Sequence, residues 1–283
     1  MPTHEPYPSS LTDLEWKLIA PLIPGPKLFG RPPRYAKRAI LDAIFHEVRS
    51  GCAWRLLPHD LPPWRIVHYS FMVWRREGLV SRAFTTRCAT KSGSRAEKKA
   101  PTAGLLRFAH PSGCIRQAVS LRSALDAQSV QVSNHGGVRG YDAGKKVMGR
   151  KRHLLVDTLG LILHVVVHSA AIQDRDGARL VLPVLLQRFG WLRCIFADGG
   201  YAGALLAWVR QLLPRRGLRL EVIKRTDKDL HRFKILPKRW IVERTFGWLS
   251  KFRRMAKDYE FRTDNSEAMI LIAASRLMLA RLA

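Results

Sequence analysis

Three acidic residues stand where their surroundings could give a carboxylate chemistry to do. Asp126 lies in a segment where Val119, Leu121, Leu125, Val130 and Val132 are interleaved with polar residues, the period-two signal of a strand. Asp198 closes the short apolar run Cys194-Ile195-Phe196-Ala197, directly before Gly199-Gly200. The carboxyl end of a buried strand is where an open α/β sheet presents functional groups. Glu243 is the lone acid among nine Lys and Arg residues between Arg232 and Lys257, with Arg239 one helical turn before it. Cations that close favour the ionised carboxylate. Taken singly, each acid also has a plain reading, Asp198 as a turn former and Glu243 as an ion-pair partner. Three carboxylates gathered at one sheet edge inside a basic groove fit a two-metal phosphoryl-transfer centre. Mg²⁺ takes a few carboxylates together with substrate phosphates. Two such ions about 3.5–4 Å apart activate the attacking oxygen and stabilise the leaving one. The expected cofactor is therefore Mg²⁺, as two ions, with Mn²⁺ able to substitute, held by Asp126, Asp198 and Glu243 as the catalytic acids.

No rival chemistry is written in the chain. It has no GxxxxGK[ST] loop, GxSxG elbow or HExxH helix, and its ten histidines show no metal-ligand spacing. Asp157, in Asp157-Thr158-Leu159-Gly160, reads as a hairpin-turn residue, and Asp174 and Asp176 read as acids opening a helix.

The elements that must position these acids form an α/β series. His153 to Val156 and Leu161 to Val167 read as strands flanking the 157–160 turn. Asp174 to Phe189 reads as a helix with Leu180, Val184 and Leu185 on its apolar side. The strand ending at Asp198 is followed by a helix through Leu213, a strand from Leu218 to Ile223, and a long helix from about Pro237 to Met255. That layout predicts a mixed sheet with flanking helices. Ahead of it, Thr12-Asp13-Leu14-Glu15 is a capping box. Ile40, Leu41, Ile44, Phe45 and Val48 repeat at helical spacing up to Gly51, and Trp64, Val67, Phe71 and Trp74 form another stripe after Pro62-Pro63. Three short helices fit a helix-turn-helix-like DNA reader and equally a plain bundle. The expected organisation is a helical DNA-binding domain over 1–84, an irregular basic linker over 85–122, and a catalytic domain over 123–283.

Charge points to the partner. The 283 residues hold 49 Lys and Arg against 22 Asp and Glu, a net charge of +27, with an ordinary apolar share of 47%. An excess of that size most often means nucleic acid. Arg139 to His153 carries Arg139, Lys145, Lys146, Arg150, Lys151 and Arg152 against Asp142 alone. From this window and the one around Glu243, the expected DNA contacts are Lys145, Lys146, Arg150, Lys151, Arg152, Lys238, Arg239, Arg244, Lys251, Arg253 and Arg254. Four scattered cysteines with no CxxC pair argue for a reducing compartment and against a zinc or disulfide scaffold. The N-terminal MPTHEPYPSS lacks an apolar signal core, and 268–283 is too short and too charged to cross a bilayer. A soluble cytoplasmic protein is expected.

Several stretches together, LTDLEWKLIAPLIP, GCAWRLLPHDLPPW, DAQSV, GYDAGKKVMGRKRHLLVDTLG, QDRDGA, ADGGY and PKRWIVERTFGWL, resemble bacterial insertion-sequence transposases of the Asp-Asp-Glu (DDE) class, in the group named after insertion sequence five. The resemblance implies a ribonuclease H-like catalytic fold with Asp126, Asp198 and Glu243 as the metal-binding triad. It also implies terminal-inverted-repeat recognition by the N-terminal helices, metal-dependent strand cleavage and strand transfer, and a homo-oligomer on double-stranded DNA in the bacterial nucleoid. Arg239 matches the Arg of the Tyr-Arg-Glu-Lys signature of related transposases, while Leu236 stands at its Tyr position. The stretch from roughly Val80 to Ala124 departs from the family pattern. The alternative expectation is thus a catalytically impaired remnant that still binds DNA.

Overall fold

The computed structural model describes residues 5–25, 34–80, 122–133, 136–189, 192–212, 218–223 and 240–283. Most of the 85–122 stretch, together with Lys238 and Arg239, lies outside these residues.

Three helices come first. α1 (Asp13–Ile19) opens with the expected capping box: the Thr12 side chain accepts from the Glu15 amide while Glu15 accepts from the Thr12 amide. Two orphan amides of the first turn are thereby satisfied. α2 (Lys37–Ser50) ends at Gly51, which takes the left-handed conformation (φ 72°) that closes a helix at least cost for glycine. α3 (Trp64–Arg76) buries Val67, Phe71 and Trp74.

Six strands form one mixed sheet: β1 (Arg122–Gln131), β2 (Gly140–Asp142), β3 (Val147–Asp157), β4 (Ile162–Ser169), β5 (Cys194–Ala197) and β6 (Arg219–Val222). β1 is central. It pairs antiparallel with β3 on one side and parallel with β5 on the other. β3 carries β2 and β4, both antiparallel, along its far edge, and β6 extends the sheet parallel to β5. The remaining helices are α4 (Asp174–Arg188), α5 (Ala204–Leu212), α6 (Trp240–Leu249) and α7 (Thr263–Leu282).

Strand alternation divides the core into two layers. Ala124, Leu154 and Val156 face one way, into an apolar cluster with α1, α2, α3, α6 and α7. Leu125, Leu155, Ile195 and Ala197 face the other, against α4 and α5. The N-terminal helices therefore share their core with α6 and α7. Ion pairs reinforce that seam: buried Arg254 with Glu47 and Glu260, and the partly buried pairs Arg276 with Glu15 and Arg75 with Asp264.

Two helical expectations need correction. On α4 it is Ala178, Val181 and Leu182 that are buried, while Leu180 and Val184 are exposed. From 180 to 186 the helix is apolar at every position, so no stripe can be read from it. The long helix expected to reach Met255 stops at Leu249, and a separate short turn covers Arg253–Met255. Among the described residues no helix is long and apolar enough to cross a membrane.

Candidate active site

The sheet carries two of the three acids on neighbouring strands. Arg122, Ser123 and Ala124 of β1 lie opposite Cys194, Ile195 and Phe196 of β5. Two residues further along, the same offset sets Asp126 level with Asp198 at the carboxyl end of β5. Both are half-buried. The Asp126 carboxylate accepts from the Ala127 amide at 2.7 Å, and Asp198 accepts from the Gly200 amide at 2.9 Å, so backbone bonds orient each. Glu243 stands exposed in the first turn of α6. That helix lays Val242 and Phe246 on the layer lined by Ala124 and Leu154, the face toward which Asp126 alternates.

A further acid and a hydroxyl adjoin the pair. Asp174, the first residue of α4, is ion-paired with Lys151 at 3.0 Å. A Cβ on Gly200 would lie 3.1 Å from Asp198 Oδ1 and 3.7 Å from Asp174 Oδ2, so both carboxylates flank that bare position. Tyr201 is fully buried, and among the described residues its hydroxyl has no hydrogen-bond partner. Burial, then the charges of Asp126, Asp174 and Asp198, push its pKa well above the usual phenol range. Sequence reasoning passes over Tyr201. Its only signal is the Tyr closing Ala197-Asp198-Gly199-Gly200-Tyr201. Asp174 is the helix-start acid expected, and its place beside Asp198 follows only from tertiary folding. Among the described residues no three His, Cys, Asp or Glu side chains form a ready-made metal shell.

Behind the acids, His153 Nδ1 and His168 Nε2 lie 2.7 Å apart. Burial, with His168 and Lys151 nearby, lowers the His153 pKa to about 3, which keeps this imidazole neutral.

The expectation that Arg150-Lys151-Arg152 faces DNA is corrected by the structure. β3 alternation turns Arg150 and Arg152 into one layer and Lys151 into the other. Arg150 is 0% exposed. Its guanidinium donates to the carbonyls of Val138, Glu260 and Phe261, to Ser266 Oγ and to Asp258. Arg152 donates to the Met255 and Lys257 carbonyls, and burial lowers its pKa to about 10. Lys151 is buried between Asp142, Asp174 and the Ile172 carbonyl. Arg254 is buried in the seam described above. These four cations are internal struts. Arg244 is half-buried, stacked between Trp240 and Trp248 at 4.4 and 4.5 Å, and donates to the Leu159 carbonyl. Lys145, Lys146, Lys251 and Arg253 are exposed. Asp157 is the expected turn residue, its Oδ1 accepting from the Leu159 and Leu161 amides at 2.8 Å.

Residues 118–278, more than half of the chain, match the family described as "Transposase DDE domain". The chain belongs to the DDE-domain transposases. Residues 11–84 separately match a family described as "Putative transposase of IS4/5 family". Over 129 residues the chain is 30% identical to a Burkholderia cepacia protein described as "Putative transposase for insertion sequence element IS402". That similarity covers 41% of this chain and 56% of the relative, so the chain spans little over half of that protein's length. Asp126, Asp198 and Glu243 all fall within the segment matched as a DDE transposase domain.

Proposed function

We propose that this chain is the enzyme of an insertion sequence, cutting DNA at the element ends and joining the freed strand to a target, with Asp126, Asp198 and Glu243 as its catalytic carboxylates. The observation that carries the reading is the placement of Asp126, midway along β1, and Asp198, at the carboxyl end of the parallel neighbour β5, in a chain of net charge +27. The strand order supports a ribonuclease H-like fold: an antiparallel β1, β3 and β4 unit extended by β5 and β6, both parallel to β1. The three N-terminal helices support a helix-turn-helix-like module for the terminal repeats. β1 is ten residues long and paired on both edges, so the strand bearing Asp126 gives the impaired-remnant alternative no support.

A divalent cation fits the donor set. Mg²⁺ is commonly held by one or two carboxylates, with water and substrate phosphate completing its shell. Two level carboxylates beside an orphaned hydroxyl meet that requirement without a preformed three-acid cage. Such a cation supplies Lewis-acid activation of the attacking oxygen and charge stabilisation on the leaving one. The protein's part is to hold one acid within β1 and the other at the end of β5, and to fix them through the Ala127 and Gly200 amides. The exposed Lys145, Lys146, Lys251 and Arg253 bind the DNA backbone; Lys238 and Arg239 complete this set from sequence.

The test is substitution of each acid by its amide. Asp126→Asn, Asp198→Asn and Glu243→Gln should each cut a labelled element-end duplex at least about 1,000-fold more slowly, the scale of removing a transition-state interaction worth roughly 4 kcal/mol. Duplex affinity should stay near wild type. A Glu243→Gln protein that cuts normally would remove Glu243 from the triad.

A further inference from the structure

Tyr201 is the one fully buried tyrosine among the described residues, and its ring is held firmly. It packs in the apolar layer with Leu125, Leu155, Ala178 and Leu205. His153 meets it edge-on, the ring centroids 6.0 Å apart at 84°. The apolar body explains the ring but leaves the hydroxyl unexplained. A phenylalanine would fill the same space, yet the chain places an O–H there with no acceptor bonded to it. Leaving a buried hydroxyl unbonded costs on the order of 1–3 kcal/mol. The charges that act on this oxygen are the three carboxylates of Asp126, Asp174 and Asp198. They reach it from β1, from the start of α4 and from the end of β5. Two of them flank Gly200, the residue before Tyr201. The hydroxyl thus lies within the electrostatic reach of acids from three separate elements, beside the Gly200 position that Asp198 and Asp174 flank, with none of them bonded to it among the described residues.

The geometry points to Tyr201 as a positioning residue of a divalent-cation centre, its hydroxyl donating to the carboxylate oxygens or water that surround a cation held by Asp126 and Asp198. The inference rests on the reading of those two acids as ligands. It adds a residue whose contribution is to orient the shell rather than to bind the ion. Burial fixes the ring, and so the position of the oxygen, before the cation arrives, leaving only rotation about the C–O bond to be settled when it does.

The experiment uses the full-length protein without DNA, so that the readout is ion binding. Mn²⁺ affinity is measured by calorimetry for wild type, Tyr201→Phe, Asp126→Asn and Asp198→Asn, and melting temperature is recorded with and without Mn²⁺. Tyr201→Phe keeps the ring and removes only the hydroxyl. Its Mn²⁺ affinity should fall about fivefold, as expected for one hydrogen bond of roughly 1 kcal/mol. Its metal-free melting temperature should equal or exceed that of wild type, because an unbonded buried hydroxyl has been removed. The gain in melting temperature on adding Mn²⁺ should shrink accordingly. Wild-type affinity in Tyr201→Phe, alongside weakened binding in the two Asn variants, overturns the role of Tyr201 and leaves the two acids standing. A lower metal-free melting temperature with unchanged affinity likewise makes Tyr201 a purely structural residue. Unchanged affinity in both Asn variants overturns the cation centre itself, and Tyr201's role with it.

Discussion

At the scale of single residues, the most informative side chain is Arg150. Its neighbours in sequence are basic, which makes it look like a phosphate ligand, but its guanidinium is spent inside the protein on three carbonyls, a hydroxyl and a carboxylate. Removing one partner of a buried pair leaves the other charge uncompensated, at a cost of about 3–5 kcal/mol. Arg150→Met should therefore lose stability on that scale in urea denaturation, because it strands Asp258 (3.2 Å away) and the carbonyls. Unchanged stability with weakened DNA binding would return Arg150 to the DNA surface. The acids behave differently. Asp126 and Asp198 can be singled out from sequence because each sits in a recognisable strand context. That they stand level depends on the offset between β1 and β5, set by pairing across about 70 residues. No local pattern encodes it. Tyr201 is invisible for the same reason: the acids whose charges act on it come from three elements.

Among the elements, those with clear punctuation are legible. The Thr12 capping box, Gly51 after α2 and the Asp157 turn each carry a local chemical cause, and each appears where that cause puts it. Elements without punctuation are misjudged. The 180–186 stretch of α4 is apolar without a break, so its buried face is fixed by the sheet beneath it, and α6 ends at Leu249 with no glycine or proline directly after it. α7 supplies a pH signature. Glu267 accepts from the Val167 amide of β4 at 2.9 Å, and burial raises its pKa from 4.5 to about 7. Burial likewise raises Asp157 to about 6 against the turn amides that favour its charged form. An acid whose folded pKa exceeds its unfolded value binds extra protons when folded. Its stabilisation is thus present below the unfolded value and lost as pH rises through the folded one. Melting temperature should fall between about pH 5 and pH 8 on this account. Glu267→Gln, which cannot titrate, should flatten part of that decline. An identical profile in the variant would show that Glu267 is ionised in the folded state throughout.

For the whole molecule, the charge of +27 is divided between two tasks. Part of it is internal: Arg150 and Arg152 pin β3 to the α7 entry, Lys151 ties β3 to β2 and the start of α4, and Arg254 joins the α7 entry to α2. Part is exposed, in residues such as Lys146, Lys251 and Arg253. A sequence sums the two, because a run of cations does not reveal which of them alternation turns inward. Replacing Lys146, Lys251 and Arg253 together by Ala should weaken duplex binding regardless of sequence and reduce the salt slope by about 0.9 for each phosphate that is no longer neutralised. A slope equal to wild type would assign these residues to a merely solvated face.

The most direct test of the central claim is to offer the purified chain a labelled duplex of an element end, with Mg²⁺, with Mn²⁺ and with EDTA, and to map every nick and joined product by strand. Metal-dependent nicks at the element boundary followed by strand joining are the predicted result. Tight binding with no cleavage under either metal would contradict it.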